Sequence, residues 1–369
     1  MENEKFDMMD FVPSEIYSGK NGNKYLLEVK EWNQYLMISY KVPQSKWKGL
    51  TGNGYRVYDD SIKRYINKNN DTFEVLGLLQ AEMGKTQNGC LNFCNHEYQI
   101  MNKVMLWFEK EFEILQTWWK WYIKININEP NDSQYKKEIE TKVVNYWLEK
   151  TNINSDMAYP KKVSYIKNTT NKKLGFYDYG TLIIESKKNI LSQVVKKFVK
   201  DITYEHILNS ERSYLQNYMR GIIAGESNVE IDKKSKKFRV FITAKEDCER
   251  DIFENCLKCL GISGNQYGKA LVISKKANMI EMLKQKLLCS SNKKYNKFLI
   301  GFNIFDNFPE YEEWKSRQIV PHNKIPQQTI NQIIELHKLN PNHPAWKIAE
   351  QVGVSAIKVQ RVRKELATN

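Results

Sequence analysis

Nowhere in this chain of 369 residues do apolar side chains run uninterrupted for the 18 or so positions that a membrane-crossing helix needs, which excludes a membrane span. The first residues, Met1-Glu2-Asn3-Glu4-Lys5, are charged and lack the apolar centre of a secretory signal. Cysteine is scarce: six at this length make no disulfide framework, and a reducing cytoplasm is the expected compartment. Cys256-Leu-Lys-Cys259 has no second Cys-x-x-Cys to complete a zinc site. Cys90, Cys94 and His96 on an expected strand do not supply one, so buried free thiols are expected. The five histidines are scattered outside any nucleophile–base pattern, and no glycine-rich loop that could cradle a phosphate is present. What the chain does have is core material, at 41% hydrophobic and 12% aromatic, and a net charge of +14. At about 150 residues per domain it holds two or three domains. The charge implies a polyanionic partner.

That charge is unevenly spread. Residues 1–72 carry 11 basic and 10 acidic side chains, whereas the last 55 residues carry 9 basic and 3 acidic, leaving +7 for the middle. The front, with turn clusters at Tyr17 to Gly22 and Gly49 to Gly54 around aromatic runs such as Tyr35 to Val42, is expected to be a small strand-containing region of no legible role. Pro321 and Pro326, in a stretch without apolar periodicity, mark a linker at 315–327 before a C-terminal module at 328–369.

The middle repeats itself. One copy reads Val75-Leu-Gly77-Leu-Leu-Gln-Ala81-Glu82-Met-Gly, the other Tyr218-Met-Arg-Gly221-Ile-Ile-Ala-Gly225-Glu226-Ser. Downstream of each, a strand-like run ends in Ser-Lys-Lys (Thr181 to Lys188, Ala270 to Lys276) and leads into a helical pattern, Asn189 to Ile202 and Asn278 to Leu288. The repeat distance falls from 144 residues at Glu82/Glu226 to 88 at Lys187/Lys275. The first copy, 73–205, therefore holds an insertion absent from the second, 206–314. An amphipathic helix from Glu97 to Phe112, between strands Cys90 to Asn95 and Trp119 to Asn128, fits that place.

In a helix Gly77 and Ala81 share one face, as do Gly221 and Gly225, and small residues there let two backbones approach closely. Each glycine costs up to about 1 kcal/mol of helix propensity, which makes sense if the two helices pack on each other. Glu82 and Glu226 would then converge at the helix ends, where a second carboxylate and the helix C-terminus both repel negative charge. A cation between them relieves this, and hard oxygen ligands suit Mg²⁺, the ion of metal-assisted phosphodiester hydrolysis. These segments resemble the LAGLIDADG homing endonucleases in their single-chain form, over roughly residues 73–314. The resemblance implies an α+β fold of two pseudo-symmetric αββαββ halves with antiparallel sheets forming a DNA-binding saddle, followed here by a small all-α domain. It also implies that Glu82 and Glu226 bind the metal and that a late-strand basic residue of each half, Lys187 and Lys275, supports the scissile phosphates. Met83 and Ser227 stand where the motif ends in glycine, and Gln80 and Ala224 where it has its first acidic residue.

Alternation along Trp119 to Asn128 puts Lys120, Tyr122, Lys124, Asn126 and Asn128 on one face; along Lys237 to Lys245 it puts Lys237, Arg239, Phe241, Thr243 and Lys245 on one face. Such ribbons can meet base edges and phosphates in the major groove. In the C-terminal module, Ile330 to Leu339 is a helical stripe broken by Pro341 and Pro344. The rest resembles a helix-turn-helix, with Ala349 at the helix junction, Gly353 in the turn, Ser355 as N-cap, and Val359 and Val362 facing the core. Lys358, Gln360, Arg361, Arg363 and Lys364 would be exposed to DNA. Together these features predict a monomeric, Mg²⁺-dependent, site-specific double-strand DNA endonuclease. The alternatives are a non-cleaving DNA-binding regulator, since this body joined to a helix-turn-helix resembles a known bacterial transcription-factor family, and an RNA-binding intron maturase.

Overall fold

The computed structural model describes residues 4–18, 23–43, 54–84, 90–115, 118–127, 133–151, 153, 162–167, 180–186, 188–232, 237–304, 327–354 and 356–367. The chain divides into two compact units, Met1–Asp306 and Asn307–Asn369. Among the described residues no helix is long and apolar enough to cross a membrane. The expected linker, apart from Gln327, lies outside the described residues.

The larger unit opens with short strands: β1 (Lys5–Asp7), β2 (Glu15–Ser18), β3 (Asn23–Leu26), β4 (Glu28–Trp32), β5 (Tyr35–Pro43), β6 (Tyr55–Lys63) and β7 (Tyr65–Asn67). β4, β5 and β6 form a three-stranded antiparallel sheet, while β1 pairs with β7 and β2 with β3. This front is bound to the body by specific polar contacts. The Gln193 side chain accepts from the Tyr17 amide and donates to its carbonyl (2.9 and 2.7 Å). Glu111, buried, accepts from the backbone and side-chain amides of Asn67.

The body begins with α1 (Asn70–Glu82), whose N-cap Asn69 accepts from the Thr72 amide. Every residue of α1 from Thr72 to Ala81 is buried, the mark of a helix surrounded by protein. Then follow β8 (Asn92–Asn95), α2 (Tyr98–Phe112), β9 (Trp119–Ile127), α3 (Ser133–Lys150), β10 (Lys162–Lys167), β11 (Thr181–Ser186) and α4 (Asn189–Asp201). A π turn at Ile202–His206 leads to α5 (Arg212–Glu226), β12 (Ser227–Asp232), β13 (Lys237–Thr243), α6 (Asp247–Cys259), β14 (Asn265–Tyr267), β15 (Ala270–Ile273), α7 (Lys276–Lys284) and α8 (Asn292–Gly301). Each sheet buries one face: Trp121, Ile123, Leu182 and Ile184 in the first, Val229, Val240, Ile242 and Leu271 in the second.

The expected inserted helix is α2, but the two halves are not the symmetric pair that the resemblance implies. The first sheet runs β10-β9-β11-β8, the second β12-β13-β15-β14. The strand after α5 pairs with the next strand in sequence, whereas the strand after α1 pairs with the last strand of its half. The first sheet is also not wholly antiparallel, because β10 lies parallel to β9. A parallel pair needs a crossover, and α3, which the sequence pattern did not reveal, lies within it. The fold is a mixed α+β body with several small, mostly antiparallel sheets, and the pseudo-symmetric αββαββ description is corrected accordingly.

The smaller unit has three helices, α9 (Gln327–Leu339), α10 (Ala345–Val352) and α11 (Ala356–Ala367). Ile333, Ile348, Ala349, Val359 and Val362 form its core. Gly353 ends α10 at φ 71°, the left-handed conformation that suits glycine, and the Val354 amide reaches back to the Ala349 carbonyl (3.0 Å).

Candidate nucleic-acid interface and acid pair

The helices α1 and α5 pack backbone to backbone. A Cβ on Gly77 would lie 2.1 Å from the Tyr218 carbonyl oxygen, and one on Gly221 would lie 2.1 Å from that of Glu74. A Cβ on Gly225 would fall 2.4 Å from the Ala81 methyl carbon and 3.1 Å from Glu82 Cγ. The four small residues thus line the contact, and both helices end on a glutamate beside it.

Glu82 and Glu226 are neighbours. Burial, and then the charge of Glu226, holds the Glu82 carboxyl above the usual carboxylate range, against the lowering pull of Lys294 and Lys245. Lys245 Nζ lies 3.7 Å from Glu226 Oε1 and 3.4 Å from the Ala81 carbonyl oxygen. Lys294, on α8, donates to the carbonyls of Ile223, Ala224 and Gly225 (3.2, 2.5 and 2.8 Å) at the end of α5, where the Ile223 carbonyl also accepts the Ser227 amide. Burial lowers this ammonium to about 8, while Glu82, Glu97 and Glu226 oppose the shift. α8 is itself anchored to α2: Glu97 accepts from the Ser291 hydroxyl and from the Lys293 amide.

Among the described residues the lysines beside the pair are Lys245 and Lys294, and not Lys275 of the repeat. Lys275 is the exposed N-cap residue of α7. Lys187 lies outside the described residues, and its neighbour Lys188 is bound to Asp60 (2.6 Å) with its ammonium 4.5 Å from the Trp118 ring centre. Lys245, expected on the reading face of a strand, sits two residues beyond the strand's end at Thr243, at the acid pair. Nothing in the Asn292-Lys-Lys-Tyr-Asn-Lys stretch singles out Lys294. Its role depends on where α8 lands, which periodicity does not encode.

The open sheet faces carry the expected side chains, with partners of opposite charge among them. On β9, Lys120 and Tyr122 are half-buried and Lys124 is exposed, opposite the buried indoles of Trp119 and Trp121. Lys120 lies 3.9 Å from Glu185 on β11. The side chain of Asn126 is outside the described ones. On β13, Lys237, Thr243 and nearby Lys245 are exposed, while Arg239 is bonded to Glu230 (2.6 Å) and stacks over Phe241. Cys94, on the open side of β8, has its thiol pushed up by burial and by Glu82. The expectation of buried thiols holds only in part: Cys256 is buried, with its thiol raised to about 12, but Cys90 and Cys94 are half-buried and Cys259 is exposed.

In the smaller unit, Gln360, Arg361 and Lys364 are exposed on α11 and Lys358 is half-buried. Arg363 departs from expectation. It turns inward and donates to the His343 carbonyl (2.7 Å), tying α11 to the turn before α10 instead of facing solvent. Ser355, the expected N-cap, lies outside the described residues.

No family model matches this chain, and no curated protein matches it. Solved structures similar to it include the full-length DUF199/WhiA protein from Thermatoga maritima, at 10% identity and a TM-score of 0.31, covering 80% of this chain and 89% of that one. A likeness at that level carries no argument about function. The family resemblance read from the paired Gly/Glu segments is corrected here: no family model or curated protein supports it, the solved structure named above is a DUF199/WhiA protein, and the two sheets do not share one strand order.

Proposed function

We propose that the protein binds double-stranded DNA and hydrolyses it at the acid pair with the help of a divalent cation. The observation that carries the reading is the convergence of Glu82 and Glu226 at the ends of two closely packed helices, within a chain of net charge +14. Duplex binding is supported by the three-helix unit, whose last helix exposes Gln360, Arg361 and Lys364.

The donor chemistry fits a small hard ion such as Mg²⁺, which takes one or two carboxylates and completes its shell with water and substrate phosphate. Among the described residues no group of three or more His, Cys, Asp or Glu is placed to hold a metal, so Glu82 and Glu226 would be its side-chain ligands. When bound, such an ion supplies an activated water and neutralises charge on the leaving oxygen. The rest falls to the chain itself. Lys245 offers a half-exposed ammonium beside Glu226 toward a phosphate, and Lys294 fixes the last turn of α5, which sets where Glu226 sits.

A second reading, a non-cleaving DNA-binding regulator, is favoured by one feature: the two lysines already balance the two carboxylates in charge. A randomised duplex library incubated with Mg²⁺ and sequenced for cut ends separates the two. Cut ends at a defined sequence support hydrolysis; tight footprints without any cut ends leave only the regulator.

A further inference from the structure

One buried carboxylate near the site is not part of the acid pair. Glu249, in the first turn of α6, is 4% exposed, and both its oxygens are engaged. Oε1 accepts from Gln80 Nε2 at 2.6 Å, and Oε2 accepts from the backbone amide of Lys245 at 2.7 Å. Gln80 belongs to α1 of the first half and is itself only 4% exposed; Lys245 and Glu249 belong to the second. The carboxylate therefore joins the two halves two residues from Glu82, and it grips the backbone of the residue whose ammonium reaches the Ala81 carbonyl and Glu226. A buried carboxylate requires donors on both oxygens. An acidic residue at position 80 would face it with a second negative charge.

We propose that Gln80 and Glu249 are positioning residues that hold Lys245 at the acid pair, and that position 80 is an amide because Glu249 needs a donor there. The placement rests on this geometry alone. Only the consequence for cleavage rests on the proposed function. The bonding also specifies an exchange that preserves it: with Gln80→Glu and Glu249→Gln together, the new amide oxygen accepts from Lys245 and the new amide nitrogen donates to the carboxylate at position 80.

The test uses the full chain with ¹³C-methylated lysines, the Lys245 resonance being assigned with Lys245→Arg. At pH 8, Gln80→Glu and Glu249→Leu should each displace that resonance, and the exchange variant should return it to its native position. In the same series Mg²⁺-dependent cleavage should fall about 10-fold or more in the single variants, the scale of losing an outer-shell partner, and recover to within about threefold in the exchange. A Lys245 resonance unmoved by both single substitutions overturns the inference. Should a single variant fail to fold, the exchange decides: a native resonance supports the positioning role and a displaced one overturns it. If the resonance moves and returns while the wild type never cuts DNA, the cleavage proposal fails and the positioning role stands.

Discussion

In the second half of the body, β12 follows α5 and pairs directly with β13, whereas in the first half β8 follows α1 and pairs with β11, the last strand before α4. Two helices and two strands intervene in that first half before the sheet closes. The seam helices show no such divergence. Gly77 lies on the Tyr218 carbonyl and Gly221 on the Glu74 carbonyl, so each glycine is required by the backbone of the other helix. The contrast shows which constraint is reciprocal. A close helix contact binds two positions to each other, while a sheet accepts a long excursion between strands provided its buried face stays apolar.

The largest expected effect tests whether the two halves contribute equally where they meet. Glu82→Gln and Glu226→Gln should each lower Mg²⁺-dependent cleavage on the order of 10²- to 10³-fold while leaving duplex affinity in Ca²⁺ unchanged. A loss confined to one variant would break the comparison and assign the chemistry to one half. Next comes the seam itself. Gly77→Ala and Gly221→Ala should each cost about 3 kcal/mol by urea denaturation, because the added methyl group meets backbone that can move only by separating the helices. Gly268→Ala is the control: its φ of +57° strains an alanine, but nothing lies within 4 Å, so about 1 kcal/mol is expected.

The same contrast explains what the sequence disclosed. The seam was legible because its demand falls on residue type at a fixed spacing: small at i and i+4, acidic one step later. The alternation of Trp119 to Ile125 was legible for a similar reason, since one face of the strand is buried. Strand order was not, because pairing depends on which excursions fold back between strands, and β10 and α3 have weak patterns. The lysines of the site escaped for a related reason. Lys245 and Lys294 reach Glu82 and Glu226 from segments whose own periodicity carries no trace of the destination, and the departure from the motif at Gln80 has its physical reason in Glu249, which faces it from the other half. Arg363 shows the limit on a helix surface: Arg361 and Lys364 are exposed, but the turn at His343 offers a carbonyl that draws Arg363 in.

In the three-helix unit the comparison narrows to two side chains of one helix. Gln360→Ala should relax base preference at one position of the bound site, by about 1–2 kcal/mol between best and second-best base in a binding-site selection. Arg363→Ala should leave that preference alone and instead destabilise the unit by about 1 kcal/mol, through loss of the bond to the His343 carbonyl. A change of base preference in Arg363→Ala would return that residue to the DNA face.

The smallest effect concerns the acid pair without DNA. Burial and Glu226 raise the Glu82 carboxyl in the folded protein, so the folded chain holds that proton more tightly than the unfolded one. The stabilisation from this group is therefore complete below its unfolded value of about 4.3 and is lost as pH rises through the higher folded value. Glu82→Gln fixes the uncharged form. Its urea midpoint should stay level with that of the wild type in acid and rise above it as pH approaches neutrality. Were Lys245 and Lys294 to outweigh burial and Glu226, the order at neutral pH would reverse, and the pair would be balanced without a metal. Millimolar Mg²⁺ then separates the halves' shared site from an inert ion pair: at pH 7 it should raise the wild-type midpoint and leave that of Glu82→Gln unchanged, because only the paired carboxylates give the ion a reason to bind the folded state.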